Sequence, residues 1–129
     1  MNYHVELSAP VGSTASAPAT AELKLTLGII EHASVYFPPS SGGWCSAQIW
    51  LNGYQLIPWE RGTWLRGDDV LYPDLGRYPV EEEPYLVTVK AFNTGALYPH
   101  SVLVSVELTP YQVAPQQSQD MSLVGMRFD

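Results

Sequence analysis

A single cysteine, six basic residues and no long apolar run set the first limits on this chain. One cysteine excludes an intrachain disulfide and any cysteine-based zinc site. Cys45 falls in an alternating run with Ala47, Ile49 and Leu51, which predicts a small buried hydrophobe rather than a reactive thiol. The six Lys and Arg are scattered and the formal net charge is −7. No basic stripe is available to neutralise phosphates, so nucleic acid is not an expected partner. The same charge disfavours an anionic membrane surface and reads most simply as a solubilising exterior. No apolar run approaches the roughly 20 residues that a membrane-spanning helix needs. Residues 1–10 lack a positive region followed by an apolar stretch, so the expectation is synthesis and folding in a cytoplasm without a signal peptide.

What the sequence does contain points to short strands. A length of 129 residues suits one domain, and 46% hydrophobic content suits a packed core. Charged residues make up only 15%, against ten glycines and eleven prolines, a balance that fits strands and turns better than long helices. Leu23, Leu25, Leu27 and Ile29 alternate with polar or small residues, the period of a half-buried strand. Gly28 permits a bend, extended chain continues to Phe37, and Pro38-Pro39 ends it. Trp44 to Leu51 and Tyr54 to Ile57 flank Asn52-Gly53, a strong hairpin signal because both residues tolerate positive φ. The stretch from Trp59 to Pro84 is less regular, with a short strand over Val70 to Tyr72 and an ordered loop from Tyr72 to Pro79 pinned by prolines and tyrosines. Tyr85 to Phe92 and Ser101 to Leu108 alternate cleanly again. The predicted fold is all-β, a β-sandwich with a jelly roll as its candidate wiring and extended N- and C-terminal arms. Its predicted organisation is an N-terminal arm or linker over 1–20, a sandwich over 21–110 and a C-terminal tail over 111–129. Within the arm, Tyr3, Val5 and Leu7 alternate, so a short strand there is positioned to pair with a neighbouring subunit.

No motif for catalysis emerges. His4, His32 and His100 are far apart, and no phosphate-binding loop, nucleophile elbow or His-Glu-x-x-His pattern is present. The expectation is therefore a protein that is not an enzyme and needs no cofactor or metal. Asp68, Asp69 and Asp74 with Glu81 to Glu83 supply oxygen ligands, but without calcium-loop spacing they read as a solvated rim. Arg66-Gly67-Asp68 matches an adhesion tripeptide, yet Gly67 reads more simply as a turn. The aromatic residues are more informative. Trp44, Trp50, Trp59 and Trp64 lie close in sequence with Tyr54 between them. Trp50 is predicted to face away from Cys45, Ile49 and Leu51, on the outer side of its strand. Aromatic side chains placed this way either complete the core, anchor a protein interface or stack on sugar rings.

Val35-Tyr36-Phe37-Pro38-Pro39, the stretch Gln55 to Trp59, Tyr85-Leu86-Val87-Thr88-Val89 and Tyr98-Pro99-His100 together carry a resemblance. The span from Ile29 to Leu108 resembles small β-sandwich proteins of tailed-phage virions, of the kind that decorate or cement capsids. The resemblance implies a homo-oligomer on the virion, contacting a major capsid or tail protein and extending terminal arms over neighbouring subunits. The expected interface residues are Tyr3, Val5, Leu7, Trp50, Tyr54, Trp59, Trp64, Met121, Leu123 and Phe128. The alternative expectation is a carbohydrate-binding or adhesion module that uses the exposed Trp and Tyr residues on a glycan.

Overall fold

A computed structural model describes residues 1–40, 42–74, 76–95 and 97–111. Ten strands and no helix are present among them: β1 Asn2–Ala9, β2 Ala19–Lys24, β3 Gly28–Phe37, β4 Cys45–Leu51, β5 Tyr54–Ile57, β6 Leu65–Arg66, β7 Val70–Asp74, β8 Tyr78–Val80, β9 Leu86–Asn93 and β10 His100–Pro110. One sheet runs β1-β10-β3-β7 with β8 also on β3, and the other runs β2-β9-β4-β5 with β6 also on β4. Every pairing between named strands is antiparallel.

The order of these pairings defines the wiring. β1 pairs with β10, β2 with β9, β3 with β7 and β4 with β5, so the chain is one long hairpin folded back on itself. That hairpin is then rolled up, because β10 also pairs with β3 and β9 with β4. This is the jelly roll, a two-sheet solution that leaves few sheet edges open.

Period-two alternation produces the core directly. Ala33, Val35 and Phe37 of β3 and Val102, Val104, Val106 and Leu108 of β10 are buried from one sheet. Cys45, Ala47, Ile49 and Leu51 of β4 and Val87, Val89 and Ala91 of β9 are buried from the other. Cys45 is the small buried hydrophobe predicted, and burial pushes its thiol pKa up. The Asn52-Gly53 turn forms with positive φ at both residues, 50° and 90°, and joins β4 to β5.

Three parts of the sequence reading are corrected. The run from Leu23 to Ile29 is not one strand: β2 ends at Lys24, and β3 begins at Gly28 in the opposite sheet. Gly28 is where the chain starts its new sheet, lying against β10 so closely that a Cβ would sit 2.9 Å from Pro110 Cα. The second correction concerns residues 1–20. The expected strand forms, but it pairs with β10 of its own chain along all eight residues, Asn2 opposite Glu107 through Ala9 opposite His100. Leu7 and Ala9 belong to the core. Residues 10–18 are tied down as well: Gly12 N–H donates to Gly95 O, and Val11 bridges Asn93. The small polar residues that read as a linker supply the anchors instead, as Ser13 Oγ accepts from Asn93 N–H and donates to Pro10 O. The predicted ordered loop from Tyr72 to Pro79 resolves into the end of β7 and most of β8, which pair with successive parts of β3.

Candidate interaction surface at the long-loop end

The jelly roll has two unlike ends. At one, β2–β3, β4–β5 and β8–β9 are joined by the short connections 25–27, 52–53 and 81–85. At the other lie the longer connections 10–18, 38–44, 58–64 with 67–69, and 94–99. Loops carried on a rigid scaffold are the usual place for recognition.

The long-loop end is assembled around Asn93, the last residue of β9, which is fully buried. Its side chain accepts from Gly95 N–H at 2.9 Å and donates to Tyr98 O at 2.9 Å, tying both residues to the end of β9. Thr94 N–H donates to Trp44 O, linking this loop to the one before β4. Asp68 holds that neighbouring loop, since its carboxylate accepts from Ser40 N–H at 2.8 Å and Gly42 N–H at 3.3 Å. Both Asp68 oxygens therefore bond backbone of the same chain at the surface, and Gly67 packs against Phe37 and Val70. The tripeptide containing them braces this loop, with Arg66 and Asp68 both exposed.

Between the braced loops lies a cleft of about 510 Å³ whose walls include Ser40, Trp44, Thr94, Leu97, Tyr98 and His100. Trp44 is 58% exposed, Tyr98 67% and Leu97 80%, with Val11 close by at 42%. Each exposed apolar residue alone is ordinary, but a cluster around a concave site is the signature of a binding surface. Polar groups from Ser40, Thr94 and His100 sit among them. The cleft can exclude water from a partner's apolar side chain or stack a flat ring on indole and phenol faces.

A smaller groove of about 340 Å³ lies at the short-turn end, lined by Leu51, Tyr54, Leu56, Tyr78 and Glu81. Tyr78 donates to Asp74 Oδ2 at 2.7 Å, and burial together with this bond pushes its pKa up to about 12. Tyr111 reaches the same region by donating to Glu81 Oε2 at 2.7 Å, a bond that raises its pKa.

The predicted interface residues are not brought together into one site. Tyr3 and Val5 are half-buried on β1, and Leu7 is in the core. Trp50 does face outward, but Lys90 Nζ lies 4.1 Å from its ring centroid and its Nε1–H donates to Gln48 Oε1. Trp64 packs edge-on against Phe92 at 4.6 Å, covering the outer face of its sheet. Gln48 and Gln55 hold the covering loop, both donating to Thr63 O. Trp59, 88% exposed, and Tyr54, 65% exposed, remain available. Met121, Leu123 and Phe128 lie outside the described residues. Sequence reasoning missed Leu97, Tyr98 and the anchoring role of Asn93. Parity held the signal for Asn93: it continues the inward series Val87, Val89, Ala91 and is therefore a polar residue aimed at the interior. Among the described residues no group of three or more His, Cys, Asp or Glu is placed to hold a metal ion. No helix among them is long and apolar enough to cross a membrane. Neither a family model nor a curated protein matches the chain.

Proposed function

We propose that the protein is a structural or accessory component of a virion, which attaches passively to a capsid or tail protein through its long-loop end. The observation that carries this reading is the exposed Trp44, Leu97 and Tyr98 cluster, held on braced loops around a cleft. Large rigid aromatics at the centre of a contact supply most of its binding energy and lose little entropy on docking. The virion setting draws further support from the sequence resemblance and from the jelly-roll wiring, which recurs in viral capsid domains. Lectins and cupins share that wiring, so the contact residues carry more weight than the fold. The test is co-sedimentation of the full-length chain with density-banded particles of a virus that encodes it. Wild type is expected to band with the particles, and Trp44→Ala with Tyr98→Ala to lose at least tenfold in occupancy. A chain absent from the particles sinks the virion placement.

The second reading is a carbohydrate-binding module, favoured by hydroxyl-bearing Ser40 and Thr94 beside the Trp44 and Tyr98 rings. Binding to a glycan array that disappears in Trp44→Ala, with no particle binding, would select it.

A further inference from the structure

Four strands end the two sheet paths, and they are not equally protected. A free strand edge invites pairing, which proteins prevent with short length, proline, bulges or charge. β7 has five residues and includes Pro73, and β5 has four. β2 has six and exposes Glu22 and Lys24. β1 has eight residues, no proline and an unbroken register with β10. Among the described residues nothing pairs with its outer edge.

The backbone parity of β1 follows from its first residue. The Met1 ammonium donates to Leu108 O at 2.7 Å and Leu108 N–H donates to Met1 O at 2.8 Å. Met1 therefore spends its backbone groups on β10, and so do Tyr3, Val5, Leu7 and Ala9. Asn2, His4, Glu6 and Ser8 point theirs at the open edge, and all four are exposed.

We infer that this edge pairs with β1 of a second copy, antiparallel about a two-fold axis at Val5, fusing two sheets into one. That register sets His4 opposite Glu6 and Asn2 opposite Ser8, each twice, and every outward backbone group finds a partner. Two bonds per pair make about eight backbone hydrogen bonds. The side chains agree with the backbone. On the outer face each Glu6 carboxylate meets a His4 ring, whose Nδ1 already bonds Ser105 Oγ at 2.9 Å, leaving Nε2 for the carboxylate. On the core face the half-buried Tyr3 meets Leu7, and Val5 meets Val5. β2 lacks this self-complementarity. Leu25 N–H donates to Tyr85 O, so Thr20, Glu22 and Lys24 point outward, and the register that pairs them all sets Glu22 against Glu22. The β1 contact is separate from the Trp44 tip and stands whether or not that tip binds a virion protein.

The experiment is sedimentation equilibrium of the full-length chain over a wide concentration range, with amide exchange at His4 and Glu6. Wild type is expected to dimerise, with those two amides slowing as the dimer fills. Glu6→Pro removes an outward N–H that the monomer does not use, and should abolish the dimer with unchanged circular dichroism. His4→Glu sets like charges opposite each other and should weaken the dimer roughly tenfold, while the His4→Glu/Glu6→His swap should restore it to within about threefold. Trp44→Ala should leave the dimer intact. A wild type monomeric at every concentration overturns the inference, as does a dimer that survives Glu6→Pro or dissolves in Trp44→Ala. Slow exchange at His4 and Glu6 in a monomer also overturns it, since another part of the same chain would then cover the edge.

Discussion

Each end of the sandwich is stapled by one asparagine, and the two staples differ in what surrounds them. At the short-turn end, half-buried Asn52 donates to Glu82 O at 2.9 Å and accepts from Leu86 N–H at 2.9 Å. It joins the β4–β5 turn to the start of β9, and water can reach it. At the long-loop end, Asn93 is sealed from solvent and holds Gly95 and Tyr98 in place. The tight end needs little help, because its turns are short and locally specified. The loop end spends a fully buried polar side chain on order, and exposes Trp44, Leu97 and Tyr98 on the result. Conformational order there fixes where the aromatics stand, as a preorganised contact requires.

The sharpest way to break the comparison is Asn93→Ala. It leaves Tyr98 O and Gly95 N–H without their partner in a dry site and is expected to cost about 2–3 kcal/mol, read by urea denaturation. Partner binding should fall with it, because Tyr98 is displaced. Asn52→Gly breaks an equivalent pair of bonds where water can substitute and leaves the positive φ unstrained, so about 1–2 kcal/mol is expected, with binding at the loop end unchanged. Equal losses from the two substitutions would erase the proposed difference between the ends.

Tyr78 sharpens the comparison through pH. Its folded pKa, about 12, lies above the usual 10, so the neutral phenol is favoured in the folded state. The stability it contributes is complete below about pH 10 and is lost as pH rises through about 12. With allowance for solvent access the loss is on the order of 1 kcal/mol. Tyr78→Phe should remove this part of the alkaline decline in melting temperature; an unchanged decline would remove Tyr78 as its source. The smallest effect on stability is expected from Trp44→Ala, within about 0.5 kcal/mol, since its indole is largely exposed. A larger loss would make Trp44 a structural residue and weaken its assignment to a binding surface.

Much of this architecture was legible in the residues. Alternation marked β4, β9 and β10 and their buried faces, and Asn52-Gly53 marked the hairpin, because strand parity and turn chemistry are local properties. The run Leu23 to Ile29 misled for the same reason, since alternation persists across a chain that changes sheets at 25–27. Residues 8–20 read as a linker because small residues carry no periodic signal, although Ser13 Oγ finds a partner at the end of β9 and Gly12 N–H one on the loop after it. Parity places Trp50 on the outer face, but its cover by Lys90, forty positions further along the chain and outside its own hairpin, leaves no local signal.

The all-β fold, the inward-facing residues of each clear strand and the position of the tightest turn are written in the residues alone. Those follow from side-chain period and backbone sterics within a few residues. Long-range packing makes β1 the partner of β10, Asn93 a buried brace, and Trp44 and Tyr98 walls of one cleft. Such outcomes depend on which strands meet across the whole length of the chain, and hydrogen-bond satisfaction between distant segments leaves no periodic mark on the residues that provide it.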